Sequence, residues 1–384
     1  MPHGGAEKYK EQISMLMTIT RTGLLVGKSY LQHSWRRELV LGILCPLSFS
    51  FVALQCLAIQ FIPLGPGYSA SDVSGDGSTV IGTSTTLPES AFRWTATRGF
   101  EVLNGIESAE AISFDGSAIL GQSKANNMQT AIWSENGIQI IPTTANTPLV
   151  GRGISADGQV VVGYAYVNDL YKSFRWDAHT GIEVFSNDDQ DDVNSANAIS
   201  SDGKVIVGND GSLAYVWTRE TGLQPLPNAV PESAAWGVSD DGSVIVGSVN
   251  NRAFRWAGAT GIQLLGAVPG QIEYNHAWDV TPDGSAIVGD SLTSQGFGHF
   301  DAFIWTQKLG MQSLASLLTQ SGIDLDGWEL GSARGISDNG TVIVGSGTNP
   351  QGQYEAWVII LPEPTTFAIA AICVCWGFFA RRRH

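Results

Sequence analysis

Short apolar runs separated by Asp-Gly turns recur along most of the chain. In each copy an Ile or Val, a Ser or Thr, a variable residue and Asp-Gly or Asn-Gly precede an apolar run that ends in glycine. Seven copies are present, at residues 73–82, 112–121, 154–163, 199–208, 238–247, 280–289 and 336–345. Their turn glycines lie 39 to 56 residues apart, a spacing typical of repeat architectures.

Each copy continues with two further strand-like segments. The second of these follows a glycine in six copies, as in GFEVL at 99–103 and GIQLL at 261–265. The first contains a tryptophan: Trp94, Trp133, Trp176, Trp217, Trp256, Trp305 and Trp357. Four short β-branched and aromatic segments in about forty residues predict one four-stranded propeller blade. We therefore expect an all-β fold, a seven-bladed β-propeller over residues 61–360, with the seven tryptophans packed between blades.

The two ends of the repeat region complement each other. The seventh copy lacks a fourth segment before Pro362, whereas an extra segment of that type, Phe61 to Leu64, precedes the first copy. A strand from the N-terminus would thus complete the last blade and pair edges that otherwise invite aggregation. The sequence predicts a closed ring.

The first 60 residues form an N-terminal extension that ends in an export signal. Arg36 and Arg37 precede an apolar run from Leu39 to Ala58, and Cys56 and Ala58 are small enough for a cleavage site. This pattern is typical of a signal helix that is removed after export. The alternative is a retained membrane helix, because the run is just long enough to span a bilayer.

Residues 361–384 have the layout of a sorting tail. A Pro-Glu-Pro triplet at Pro362, Glu363 and Pro364 is followed by the apolar stretch 367–380 and by Arg381, Arg382 and Arg383. This resembles the PEP-CTERM sorting signal, which implies recognition by an exosortase-type processing enzyme. A C-terminal transmembrane helix would keep the arginines on the cytoplasmic side. The alternative is a plain membrane anchor.

The repeat region also resembles the HAF family of extracellular repeats, through its Ser-x-Asp-Gly and Phe-x-Trp elements. The histidine of the HAF motif is replaced in every copy, by Ser90, Thr130, Lys172, Leu213, Arg252, Asp301 and Glu355. The resemblance implies an extracellular location. It implies no particular activity.

Composition narrows the choice of partners. The net charge is -15, and residues 61–380 hold only 12 of the 21 basic residues but 33 of the 36 acidic ones. A surface of that sign repels phosphates and anionic polymers, which makes nucleic acid an unsuitable partner. All four cysteines lie outside residues 61–360, which rules out a disulfide or thiolate metal site in the propeller.

The functional candidates lie on one face. In an up-and-down blade the connections between strands 1 and 2 and between strands 3 and 4 are short and share a face, and the longer, irregular connections occupy the opposite one, here called the long-loop face. Loops on that face usually carry binding residues in repeat folds. The binding candidates are Tyr164, Tyr166, Tyr171, Glu273, Tyr274, His276, His299 and Asp301.

Two groups of residues on these loops could bind a cation. Asp188, Asp189, Asp191 and Asp192 offer oxygen ligands for calcium. The alternative is a solvated acidic loop, which the lack of an EF-hand pattern and of a glycine at the bend favours. His276 and His299, with carboxylates nearby in sequence, could ligate a metal or act as acid and base. No other cofactor is indicated.

The sequence therefore predicts an exported protein of the cell surface or extracellular matrix, anchored to the membrane at least before its tail is processed. Its long-loop face would bind a glycan, an exopolysaccharide or another envelope protein without catalysis, because no catalytic motif is present. The alternative is a propeller enzyme, a glycoside hydrolase or lyase acting on exopolysaccharide. That alternative requires paired carboxylates, or a tyrosine and arginine cluster, at the central channel.

Overall fold

The computed structural model describes residues 59–86, 88–124, 129–143, 147–186 and 194–361. These residues form seven four-stranded antiparallel sheets, the blades of a propeller. The predicted signal helix, the sorting tail and the acidic loop at 187–193 lie outside the described residues. No helix within the described ranges is long and apolar enough to cross a bilayer.

Strands are numbered along the chain, and each of the first three blades follows chain order from the channel outward. Blade 1 contains β2 (Tyr68–Val73), β3 (Thr79–Ser84), β4 (Ala91–Thr95) and β5 (Gly99–Val102). Blade 2 contains β6 (Ile106–Ile112), β7 (Ile119–Ser123), β8 (Thr130–Ser134) and β9 (Gly137–Ile140). Blade 3 contains β10 (Leu149–Ile154), β11 (Val160–Val167), β12 (Leu170–Asp177) and β13 (Gly181–Phe185).

Blades 4 to 6 have the same order. Blade 4 contains β14 (Ser195–Ile199), β15 (Ile206–Asn209), β16 (Ala214–Thr218) and β17 (Gly222–Pro225). Blade 5 contains β18 (Ser233–Val238), β19 (Val244–Val249), β20 (Arg252–Ala257) and β21 (Gly261–Leu264). Blade 6 contains β22 (Asn275–Val280), β23 (Ala286–Leu292), β24 (Phe300–Thr306) and β25 (Gly310–Ser313).

Blade 7 confirms the predicted ring closure. It contains β26 (Glu329–Ile336), β27 (Val342–Thr348), β28 (Tyr354–Ile360) and, on its outer edge, β1 (Gln60–Pro66). β1 runs antiparallel to β28, with Phe61 opposite Ile359 and Ile62 opposite Val358. The inner strands of blades 7 and 1 contact each other as the other neighbouring inner strands do.

The hydrophobic core lies between neighbouring blades. One cluster joins Val80 and Phe92 of blade 1 to Val344 and Val358 of blade 7, and Ile62 of β1 packs against it. The first blade is therefore held in place by the last one, although these residues are 252 to 278 positions apart along the chain. Burial of this apolar surface is the main favourable term for the closed ring.

Every inner strand contains a β-bulge at the same place. In blade 5 the register shifts between Ala235 and Gly237, so that Trp236 is the extra residue. Gly247 of the second strand lies beside the bulge, where a Cβ would approach the carbonyl oxygen of Ala234 to 2.0 Å. The equivalent glycines in the other six blades meet the same carbonyl at 1.9 to 2.0 Å. This contact explains why each apolar run of the repeat ends in glycine.

Local hydrogen bonds hold the Ser-x-Asp-Gly turns. In blade 1 the Asp76 carboxylate accepts hydrogen bonds from the Ser78 amide (2.8 Å) and the Ser74 hydroxyl (2.7 Å), and Gly77 has a φ of 73°. The Ser74 hydroxyl oxygen in turn accepts from the Thr79 amide. These bonds close the turn locally, and positive φ there favours glycine.

The expectation that seven equivalent tryptophans pack between blades needs one correction. Six of them share one register, illustrated by Trp94 opposite Val80. Trp357 instead lies opposite Gly345, the position that Phe92 occupies opposite Gly82 in blade 1. The Trp357 ring covers Gly345 of the second strand. Ile359 occupies the position that tryptophan has in the other six blades.

The connection between blades 6 and 7 contains a short helix, α1 (Leu314–Gln320). Ser313 caps it by accepting a hydrogen bond from the Ser316 amide, and Leu314 and Leu318 are buried. Ser313 thereby satisfies one of the free amides of the first turn. The helix lies on the long-loop face, because it follows the fourth strand of its blade.

Candidate functional site

The side chains at the seven bulges line the central channel. They enclose part of a cavity of about 250 Å³ together with their neighbours on the inner strands. The seven bulge residues are Ser71, Glu110, Arg152, Asn197, Trp236, Trp278 and Arg334. The backbone of the bulge is the same in every blade, but the residue type at the bulge differs. The seven bulge residues therefore determine the chemistry of the channel lining.

Blades 5, 6 and 7 place two tryptophans and an arginine side by side. The rings of Trp236 and Trp278 lie 5.3 Å apart between centroids, tilted by 50°. The guanidinium carbon of Arg334 lies 4.1 Å from the centroid of the Trp278 ring. This distance gives a favourable cation–π contact. The three side chains form an aromatic wall with a positive charge at one end.

Asp290 holds this wall in place. Its Oδ2 accepts hydrogen bonds from the indole Nε1 of Trp278 (2.6 Å) and the Ser332 hydroxyl (2.9 Å). Its Oδ1 lies 3.1 Å from Nδ1 of His276, and the histidine tautomer that donates from Nδ1 suits a carboxylate acceptor. Asp290 is only 5% exposed. Three donors from two blades compensate for the cost of burying this carboxylate.

The aromatic wall continues outward to the long-loop face. The rings of Trp278 and His276 lie 5.5 Å apart, as do those of His276 and Tyr274, and those of Tyr274 and Phe297. Phe297 is 79% exposed. Together with Trp236, these residues form a continuous aromatic ladder from the surface into the channel. The outer end of the ladder is therefore an exposed aromatic ring.

A second aromatic group reaches the channel from blade 3. Tyr171 lies 5.3 Å from both Tyr164 and Tyr166, measured between ring centroids. Tyr166 and Tyr171 are exposed. The Arg152 guanidinium lies 5.6 Å from the Tyr164 ring and pairs with Glu110 at 3.2 Å. The structure thus brings three of the four predicted tyrosines together and joins them to the channel through Arg152.

The remaining predicted residues have other contacts. Glu273 forms an ion pair with Arg252 at 2.8 Å. Asp301 accepts a hydrogen bond from the Ser313 hydroxyl at 3.0 Å, and burial raises the pKa of its carboxyl. His276 bonds to Asp290, and in the described part of the chain no ring contact or hydrogen bond joins it to His299.

The described residues contain no group of three or more His, Cys, Asp or Glu side chains placed to hold a metal ion. The acidic residues Asp188, Asp189, Asp191 and Asp192 fall outside the described ranges, and their predicted role in calcium binding stays a prediction.

Sequence reasoning missed Trp236, Arg334 and Asp290 as members of the site. A usable signal was nevertheless present, because each bulge residue stands three positions before the Ser or Thr of the turn. Trp236 precedes Ser239 by this interval, and Arg334 precedes Ser337. This three-residue interval can be found in the repeats. That the residue at this position faces the channel, however, depends on a β-bulge, which the sequence does not show.

Comparisons with known proteins show the fold. No protein-family profile matches the chain, and no curated protein matches its sequence. An oligogalacturonate lyase from Vibrio parahaemolyticus superposes with a TM-score of 0.52 at 12% identity, over 80% of this chain and 98% of that one. An oligogalacturonate lyase in complex with manganese gives 0.50 at 12% identity, over 79% and 93%.

TolB from Acinetobacter baumannii also matches, with a TM-score of 0.39 at 17% identity. That match covers 53% of each chain, so this protein spans about half the length of TolB. The likeness to the two oligogalacturonate lyases, at 12% identity, shows the propeller fold alone.

Proposed function

We propose that this protein is an exported carbohydrate-binding propeller of the cell surface or extracellular matrix. Its long-loop face receives the glycan, and its tail is handled by an exosortase-type system. The observation that carries this proposal is the aromatic ladder from Phe297 to Trp236, which leads from an exposed face into a channel. The Pro-Glu-Pro triplet, apolar stretch and arginines after residue 361 support the export route.

The ladder suits a sugar because of its electrostatics. An aromatic face carries partial negative charge, and the axial C–H groups of a pyranose carry partial positive charge, so the two stack. Asp290 fixes the indole of Trp278 and Ser248 accepts from the indole of Trp236 at 3.2 Å. Both rings are therefore oriented before a ligand arrives, which lowers the entropic cost of binding.

The test is a glycan array followed by calorimetry on the full chain extracted in mild detergent. We expect Trp278→Ala and Trp236→Ala each to weaken binding of the best glycan by roughly tenfold or more, since a well-packed aromatic anchor contributes more than about 1.4 kcal/mol. The matched control is Phe114→Ala, which removes a 45% exposed aromatic ring from the turn face. Equal losses in all three variants, or binding to no glycan, would refute the proposal.

A second candidate, a lyase, is favoured by the His276–Asp290 pair. Donation from Nδ1 to Asp290 leaves Nε2 as an acceptor, as a general base requires. The contact of Arg152, which lines the channel, with the Tyr164 ring also supports this candidate. Two proteins that share the fold bear the name oligogalacturonate lyase. Release of conjugated, unsaturated sugar ends from a uronate polymer, lost in His276→Gln, would favour this candidate over binding alone.

A further inference from the structure

The eight arginines of the propeller differ in what they bind. Six of them pair with a carboxylate: Arg93, Arg98, Arg152, Arg175, Arg219 and Arg252. Arg255 donates to the carbonyl oxygen of Gly284. Arg334 has neither a carboxylate nor a carbonyl partner among the described residues. Its guanidinium group instead lies over the Trp278 ring.

The position of Arg334 makes its free donors available to a ligand. It is the bulge residue of β26, it is exposed, and it lines the channel cavity beside Trp278. Contact with the indole occupies one face of the guanidinium group and leaves the N–H groups, which lie in its plane, unbonded. Five N–H donors in a planar fork match a carboxylate bidentately.

Carboxylates elsewhere in the channel do not compete for this arginine. Glu110 is paired with Arg152. Asp72 accepts from the amides of Val73 and Ile112, and Asp279 accepts from the amides of Val280 and Ile336. Both aspartates are partly buried, and desolvation raises the pKa of both carboxyls, that of Asp279 to about 6. None of these three carboxylates forms an ion pair with Arg334.

We propose that the channel binds an acidic sugar residue, a uronic acid, and this inference rests on the proposed function. The carboxylate of the sugar pairs with Arg334, and its ring stacks on the Trp236–Trp278 wall. The strongly acidic propeller repels long polyanions. A short oligosaccharide or a chain end, which brings few charges, is the form of ligand that fits. A neutral sugar would leave the guanidinium donors unpaired and would bind less tightly.

The experiment compares uronates with their neutral counterparts. Calorimetry on the detergent-extracted full chain would use short oligomers of galacturonate, glucuronate and mannuronate, each beside its methyl ester, which has the same ring but no charge. A sulfated neutral oligosaccharide forms a further arm. We expect at least one free uronate to bind roughly 10 to 100 times more tightly than its ester, the range for a charged bidentate contact.

Variants of Arg334 test whether this residue causes the preference for a free uronate over its ester. Arg334→Gln should remove the preference for acid over ester, whereas Arg334→Lys should keep part of it, because the charge stays but the fork is lost. Arg219→Gln, an exposed arginine paired with Glu183, is the matched control and should change nothing. Unfolding midpoints equal to that of the parent would show that the variants fold.

The outcomes separate this inference from the proposed function. Equal binding of acid and ester, or a preference that survives in Arg334→Gln, overturns the uronate inference and leaves glycan binding standing. Binding of the sulfated oligosaccharide alone overturns the carboxylate assignment. Failure of every oligosaccharide, charged or neutral, overturns both.

Discussion

The indole Nε1 of Trp278 donates a hydrogen bond to Oδ2 of Asp290 at 2.6 Å. Trp278 is the bulge residue of β22, and Asp290 lies on the neighbouring strand of the same blade. The same carboxylate accepts from Ser332 of blade 7. One buried aspartate thus fixes the orientation of the aromatic ladder and ties two blades together.

Replacing Asp290 should therefore affect both stability and the site. We expect Asp290→Ala to lower the free energy of unfolding by about 2 to 3 kcal/mol, because it leaves buried donors unsatisfied. Asp290→Asn, which keeps one accepting oxygen, should cost less. Denaturant unfolding followed by tryptophan fluorescence measures both. Asp324→Ala, in an exposed loop, is the control; a loss equal to that of Asp290→Ala would contradict the role assigned to Asp290.

The glycine beside each bulge gives a second prediction. A Cβ at Gly247 would lie 2.0 Å from the carbonyl oxygen of Ala234, so the strands must separate to admit it. We expect Gly247→Ala to destabilise the fold by more than about 2 kcal/mol, a size that points to backbone strain. At Gly258 the nearest atom to a Cβ is 4.0 Å away.

Gly258→Ala is therefore the matched control. It should be neutral or slightly stabilising, since alanine has less backbone freedom to lose on folding. Urea denaturation of the two variants measures the difference. Similar stabilities would show that the bulge tolerates a side chain at Gly247.

Much of the fold follows from local sequence signals, whereas the site does not. The Asp-Gly turns give the number of blades, and the unpaired segment Phe61 to Leu64 gives the closure, because each feature is short and contiguous. The ladder depends on a bulge, which shifts the in-out alternation of a strand by one residue. Asp290 and Ser332 are 42 residues apart and belong to different blades. Their contact depends on how blades pack, which a repeat pattern does not encode.

Trp357 shows the same limit and gives a third prediction. Its ring takes the place that phenylalanine has in other blades, and its Nε1 is buried with no hydrogen-bond partner. We expect Trp357→Phe to change the free energy of unfolding by less than about 1.5 kcal/mol. Trp357→Ala should cost about 3 to 5 kcal/mol, because it leaves a cavity. Denaturant unfolding distinguishes these outcomes, and equal losses would mean that the indole itself is required.

Carboxyl groups near the turn-side end of the channel should make stability depend on pH. Burial, together with the charges of Asp240, Asp279 and Asp76, raises the pKa of Asp338 from its ordinary value of 3.8 to about 7. Burial and Asp240 raise that of Asp279 to about 6. Between pH 4 and 7 the folded chain therefore binds protons that the unfolded chain has released. Their contribution to stability is present at low pH and is lost as pH rises through the folded pKa values.

The free energy of unfolding should accordingly fall between pH 5 and pH 8. Asp338→Asn carries no charge at either pH, so it should flatten this dependence and raise stability at pH 8 by on the order of 1 kcal/mol, allowing for solvent screening of a partly exposed group. Glu220→Gln, an exposed carboxyl on a turn, should leave the slope unchanged. Denaturant titrations across this pH range provide the measurement. A slope that is the same in Asp338→Asn as in the parent would mean that Asp338 stays ionised, and that its neighbours lie too far away to repel it.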